Sequence, residues 1–365
     1  MTGTLVLANL KYRPIRSLIS ILLMGVPVTL ILALVGLSNG MLEDARSRQR
    51  AVGADVVVRG SAATSAISFT GAPLPQGYVD VIQKQPHVKM AMGVMTHNIE
   101  LPLVILGIDM KKFDAMNGGF TYLEGHSFEG PDDVLVDQLY AKQNHVKVGQ
   151  TLPLMGHKWH VAGIIRSGKL ARIAVPLSTL QELDAAPNHV SQIFVQADNP
   201  AYADAVAQEL AKLLPDTHVQ TMAEFTAAYD ANNIPALKEF TIVIMVLGVV
   251  IGFLVIALSM YMSVLQRTRE IGILKSLGAS KTFILFIVEA EAVLVALGGT
   301  ILGILLSFGV CWLIRVLVPA SIQMVVVPSW WPNAGGITLV AALLGALYPG
   351  FTAASHDPIE ALAYE

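Results

Sequence analysis

The sequence predicts an α-helical membrane protein with four transmembrane helices and an extracytoplasmic mixed α/β domain inserted between helices 1 and 2. Three observations carry this. The 365-residue chain is 54% hydrophobic and only 14% charged, against about a quarter charged in soluble domains. Four uncharged apolar runs are each long enough for a hydrocarbon core that needs roughly 20 helical residues. Between the first and second runs lies a long polar segment that alternates strand and helix patterns.

The runs are Leu18 to Leu37, Phe240 to Leu265, Ala292 to Ile314 and Ala334 to Ala354. The first holds Pro27, and the fourth is thinned by Gly335, Gly336, Pro349 and Gly350. With their flanks they divide the chain into an N-terminus (1–17), helix 1 (18–40), the outer domain (41–237), helix 2 (238–265), a polar connection (266–281), helix 3 (282–318), an outer loop (319–333), helix 4 (334–354) and a tail (355–365). Lys11, Arg13 and Arg16 precede the first run, and Glu43 and Asp44 follow it. The basic 266–281 connection points the same way, so both termini are expected in the cytoplasm of a multi-pass inner-membrane protein. Arg46, Arg48 and Arg50 lie on the opposite flank, where a large translocated domain is less bound by the charge rule. The first run exceeds the core of a signal peptide and reads as an uncleaved anchor. Trp330 and Trp331 in the outer loop read as an interfacial anchor.

In the outer domain Gly53–Gly60, Leu101–Ile108, Asp133–Val136 and Val190–Gln196 read as strands. Thr151–Met155 and Lys158–Ile165 read as a hairpin around Gly156-His157. Ala201–Leu214 reads as an amphipathic helix with Ala205, Val206, Leu210 and Leu213 on its stripe, opened by Asn199-Pro200. From Met222 a helical pattern, broken at Pro235, leads into helix 2. Ala62–Gly77 is loop-like, and residues 98–180 form a more β-rich insert. The single cysteine, Cys311, falls in helix 3, so the outer domain relies on a hydrophobic core without disulfides.

No Walker A or Gly-x-Ser-x-Gly sequence occurs, so this chain is expected to be non-catalytic and to hold no cofactor or metal. Eight of the nine histidines are in the outer domain, scattered without carboxylate or thiol partners at ligand spacing; they read as surface residues. Glu289 and Glu291 open the third apolar region, as interfacial residues or as members of a stalk or hinge. Gly248-x3-Gly252 and Gly299-x3-Gly303 offer small faces for close helix approach.

The connection Gln266–Lys281 carries Arg267, Arg269, Lys275 and Lys281 against Glu270, with Ile271, Ile273, Leu274 and Leu277 at helical spacing. A basic amphipathic helix between two spans is a natural docking element for a soluble protein. The tail opens with Asp357 as N-cap and Pro358 as first helical residue.

These segments carry a resemblance. Arg267–Ser280 is similar to the coupling helix of the MacB/FtsX-like (type VII) ABC transporter permeases. Asp357-Pro-Ile-Glu-Ala-Leu362 resembles the family's C-terminal signature, Gly53–Val58 the start of its periplasmic core, and Phe286–Ala290 its entry to the third span. Gln266 and Ala363 depart from the acidic and basic residues common there. The resemblance implies a MacB-like periplasmic core and mechanotransmission: a separate cytoplasmic ABC ATPase dimer, holding ATP and Mg, would move the outer domain. Its docking contacts would be Arg267, Arg269, Glu270, Ile271, Gly272, Leu274, Lys275 and Leu277 in the coupling helix, and Asp357, Pro358, Ile359 and Leu362 in the tail. A second permease copy or a homologous permease is implied, in a lipid bilayer, and a periplasmic adaptor is admitted; nucleic acid is not expected. The implied function is export, or extraction of a lipoprotein, lipid or hydrophobic compound. The alternative is a signal-transmitting permease that activates a cell-wall hydrolase without transport.

Overall fold

The computed structural model describes residues 14–61, 72–100, 103–228, 235–318 and 323–355. It divides into two units. One comprises residues 40–234 and 314–323, the other residues 1–39, 235–313 and 324–365.

Along the chain, helix α1 (Pro14–Arg50) is followed by β1 (Val56–Gly60), β2 (Leu74–Pro75), α2 (Tyr78–Gln83), β3 (Val88–Glu100) and β4 (Leu103–Ile108). Next come α3 (Met110–Asn117), β5 (Tyr122–Gly125), β6 (Asp133–Asp137), α4 (Gln138–Asn144), β7 (Thr151–Leu154) and β8 (His157–Ile165). Then β9 (Ile173–Pro176), α5 (Leu177–Leu183), β10 (His189–Val190), β11 (Gln192–Ala197), α6 (Ala203–Leu213), β12 (Thr217–Thr221) and α7 (Met222–Ala227) complete the polar segment. Four helices follow: α8 (Pro235–Gln266), α9 (Thr268–Ser276), α10 (Lys281–Leu317) and α11 (Trp331–Ser355).

The outer domain is built on a ten-stranded mixed sheet in the order β12-β1-β11-β3-β4-β9-β6-β8-β5, with β7 also paired to β8. β1 is a run of β-branched residues buried along its whole length, as an interior strand requires. The 13-residue β3 is absent from the sequence reading, yet it joins the two halves of the sheet. Its first half pairs with β11 and its second with β4. The β-rich residues 98–180 thus extend the same sheet. β5, β9 and β12 also escaped the sequence reading. One face packs Phe113, Phe194, Phe225 and Leu135 into a core, and separate cores form around Val195 with Leu210 and around Trp159 with Ile173.

Several local expectations are corrected. The Val190–Gln196 strand divides at Ser191, whose hydroxyl accepts from Thr96 N (3.0 Å). β10 leaves for a small sheet with β2, which lies inside the expected 62–77 loop. The hairpin turn is Met155-Gly156, both at positive φ (57° and 72°), so His157 starts the return strand opposite Leu154. Two consecutive positive-φ residues fit the right-handed twist of the flanking strands. The 201–214 helix begins as a 3-10 turn capped by Asn199. Its buried stripe is Val206, Ala207 and Leu210, while Ala205 and Leu213 are exposed. The Met222 helix stops at Ala227 and helix resumes at Pro235; residues 229–234 lie outside the described set. Four histidines do find carboxylates: His97 with Asp184, His126 with Glu129, His157 with Asp132 and His160 with Asp133, at 2.7 to 3.5 Å. Among the described residues no three His, Cys, Asp or Glu side chains converge as metal ligands.

The other unit is helical. Among the described residues four helices are long and apolar enough to cross a membrane, covering Ser17–Arg50, Lys238–Gln266, Lys281–Leu317 and Pro328–Ser355. Helix 1 runs on past residue 40 to Arg50 in one unbroken element. Both small-residue motifs are used within the chain. A Cβ on Gly303 would lie 2.6 Å from Val28, and one on Gly299 2.7 Å from Met24. A Cβ on Gly248 would meet Ile31 at 2.7 Å, and one on Gly252 would meet Met24 and Ala341 at 3.1 Å. Thr29 Oγ1 donates to Gly25 O and Gly303 O (2.8 and 3.2 Å), so its hydroxyl also bridges the close approach. α11 buries Ala341, Ala342, Gly345 and Ala346, a small-residue face suited to close packing without a hydrophobic driving force. Trp330 and Trp331 are half-buried against the core around Val28 and Leu32.

Candidate functional site

The α8–α9–α10 corner contains the sequence-predicted docking residues that lie in the described structure. α8 ends where Arg267 leaves helical geometry (φ −122°, ψ 18°). α9 ends near Leu277, and Gly278 at φ 95° turns the chain. Ser280 then caps α10, its hydroxyl accepting from Phe283 N (3.2 Å). Glycine at the turn and serine at the cap are the residues that suit those positions. They also explain why α10 starts at Lys281, ahead of its apolar run.

α9 does not present all its apolar residues on one face. Ile271 and Gly272 are buried, and Leu274 packs with Ile271 on a core containing Val264, Ile284, Val288 and Ala354. Ile273 and Leu277 point away, 46% and 80% exposed. The cations divide in the same manner. Arg267 is drawn inward: Nη1 donates to Glu291 Oε2 at 2.9 Å and Nε to Glu270 Oε2 at 3.2 Å. Lys275 Nζ donates to Ala354 O at 2.9 Å, a cation on the last carbonyls of α11, where the helix dipole favours positive charge. Arg269 and Glu270 are exposed. Of the predicted docking set, Arg269, Glu270, Ile273 and Leu277 therefore form the outward surface, with Ile273 an addition. Arg267, Ile271, Gly272, Leu274 and Lys275 hold the helix in place. Asp357, Pro358, Ile359 and Leu362 lie outside the described residues.

Glu289 and Glu291 separate. Glu291 is an interior residue, 7% exposed, and also accepts from Ser263 Oγ at 3.2 Å. Among the described residues neither carboxylate oxygen of Glu289 has a hydrogen-bonding partner, although both are buried.

A second charged constellation was missed. At the end of α1, Arg48 Nε meets Asp44 Oδ2 (3.0 Å) and Arg48 Nη2 meets Asp137 Oδ2 (3.2 Å). Arg172 contacts the same two oxygens at 3.0 and 3.4 Å. Asp137 is fully buried and caps α4 through Tyr140 N (2.7 Å). Burial, then repulsion from Arg48, push the pKa of Arg172 below its usual value, against the pull of Asp44 and Asp137. Arg46 Nε also donates to Thr226 O in α7 (3.2 Å). The i,i+4 spacing of Asp44 and Arg48 was the available signal; their place beside an apolar span made them read as topology markers.

Comparison with known proteins agrees with this architecture. Residues 17–213 match the MacB-like periplasmic core domain and residues 242–358 the FtsX-like permease C-terminal domain. The "Uncharacterized ABC transporter permease YknZ" of Bacillus subtilis (strain 168) is 28% identical over 273 residues, 68% of this chain and 66% of that protein. The "Macrolide export ATP-binding/permease protein MacB" of Escherichia coli (strain K12) is 28% identical over 323 residues, 78% of this chain and 48% of that protein. The chain thus spans just under two thirds of the first relative and about half of the second. Among solved structures, the extracellular domain of YknZ from Gram-positive bacteria covers 46% of this chain and 98% of its own length, at 16% identity and a TM-score of 0.36. The periplasmic region of MacB from Actinobacillus actinomycetemcomitans covers 49% and 94%, at 13% identity and a TM-score of 0.37. With one family matching more than half of the chain and the other most of the remainder, this protein belongs to the MacB/FtsX type of ABC transporter permease.

Proposed function

We propose that this permease is driven by a separate cytoplasmic ABC ATPase dimer and transmits ATP-dependent motion to its outer domain. The observation that carries the reading is the outward face of α9: Arg269, Ile273 and Leu277 project from a helix whose other side is fastened by Ile271, Leu274, Arg267 and Lys275. Exposed apolar side chains beside a cation, on a braced element, suit a protein contact. Basic residues between two apolar helices favour a cytoplasmic position for this face, in an inner-membrane protein with both termini inside. ATP and Mg belong to the partner. The unbroken α1 supplies a connection able to carry a rigid-body shift. A second permease, identical or homologous, completes the membrane assembly. The macrolide-export names of the MacB relatives support export; the work driven is export, or extraction of a lipoprotein, lipid or hydrophobic compound.

The test is co-purification of the full chain with an ABC ATPase in lipid nanodiscs, followed by measurement of ATP hydrolysis. Combining Arg269→Glu with Leu277→Asp is expected to abolish the complex and the permease-dependent change in hydrolysis while leaving the thermal unfolding of the permease intact. A complex that survives both changes would remove α9 as the docking element.

A further inference from the structure

Beneath α9, within the helical unit, lies a cavity of about 310 Å³, at the lower end of the range of small-molecule sites. Its walls are mostly apolar and include Val264, Ile284 and Ile287; Ser263, Arg267, Glu270 and Glu291 form a polar end. The charges at that end do not cancel. Arg267 is held between two carboxylates, Glu291 at 2.9 Å and Glu270 at 3.2 Å. One guanidinium against two carboxylates leaves a single negative charge at the mouth of the apolar space, where the Glu270 side chain is 62% exposed. Ser263 donates to Glu291, which orients that carboxylate without changing the charge.

Each class of occupant can be weighed against this arrangement. An anionic head would meet two carboxylates, and its attraction to Arg267 would require displacing one of them. A neutral apolar molecule would fill the walls but leave the excess negative charge at the mouth unanswered. A cation carrying an apolar chain satisfies both parts, since its head supplies the missing positive charge while its chain lies along Val264, Ile284 and Ile287. We infer that this cavity binds an amphiphilic ammonium ion, with the protonated amine at Glu270 and Glu291. The inference rests on the lining of the cavity; Glu270 and Ile273 also belong to the outward face of α9, so binding is read in the absence of an ATPase.

The test uses the full chain without any ATPase, in a neutral maltoside detergent, with dodecylammonium and dodecyl sulfate as matched probes followed by native mass spectrometry. One dodecylammonium per chain is expected, bound more tightly than dodecyl sulfate. Glu270→Gln, on the exposed rim, should weaken it about twofold to fivefold. Ile273→Trp, whose side chain lines the cavity from an exposed position, should remove it. Both variants alter exposed residues, so unchanged thermal unfolding serves as the control for folding. The same preparation from nanodiscs of phosphatidylethanolamine or of phosphatidylcholine separates two sources of the amine. One retained ethanolamine lipid, displaced by dodecylammonium, identifies the bilayer; binding of the free amine without lipid retention identifies a dissolved amphiphile. Equal binding of the two probes, or binding unchanged by Ile273→Trp, would mean an adventitious additive only and overturn the site.

Discussion

Glu289 and Glu291 are two residues apart, yet the structure sets them opposite tasks. Glu291 is buried with Arg267 and Ser263 as partners, so truncation leaves the Arg267 guanidinium with only the exposed Glu270 beside it. Glu291→Ala is expected to cost about 3–5 kcal/mol, seen as a lower unfolding temperature of the full chain in detergent. Glu289 has two buried oxygens without partners among the described residues. Glu289→Leu should stabilise by about 1 kcal/mol or more, by removing an unpaired polar group. A fall in stability with Glu289→Leu would reveal a partner for this side chain. From sequence the two residues were indistinguishable, because both lie near a charged connection; the rotation of α10 against α8 and α9 separates them.

At the scale of elements, α9 shows how much a pattern can carry. Its helical spacing correctly announces an amphipathic helix, but a helix with apolar residues on two sides can bury only one of them here. Changing Ile271, a core residue, would therefore damage packing as well as any docking surface, whereas Arg269 and Leu277 report on docking alone. In the outer domain, Asp133 organises the loop before β6. Burial raises its carboxyl pKa, but the Gly130 and Glu129 N–H groups and His160 outweigh this and hold it below the usual carboxylate value of 3.8. A depressed folded-state pKa means stability that is fully present above 3.8 and is lost as pH falls through the folded value. Hydrogen exchange of residues 126–133, corrected for intrinsic rates, should accelerate in that acid window, and Asp133→Asn should flatten the dependence. An unaltered pH profile in the variant would assign the effect to other carboxylates.

For the whole molecule, α1 is the element whose two ends serve different units. Its apolar part packs in the helical bundle through Met24 and Val28, and its last turns enter the charge cluster with Asp137 and Arg172. Buried ion pairs add little net stability, yet breaking one by removing a partner is severe. Asp137→Ala is expected to cost about 3–5 kcal/mol and to free residues 44–50, read as faster hydrogen exchange confined first to that segment. In the proposed assembly the same change should separate ATP hydrolysis from transport while both remain measurable. Undiminished protection of residues 44–50 would show that the cluster does not hold the end of α1.

By itself the sequence determined the membrane class, the four apolar helices, the position of the α/β domain between the first two, and the existence of α9. These depend on the cost of placing charge or unpaired backbone in hydrocarbon and on local periodicity, which composition and spacing express directly. Tertiary structure alone decided the rest. β3 became the common strand of one sheet because pairing partners far apart in sequence complete its hydrogen bonds. Arg267, Lys275, Arg48 and Asp44, all legible as surface charges, became internal braces because folding brings Glu291, the end of α11, Asp137 and Arg172 within bonding distance. A charge in a sequence has no partner until the chain folds around it.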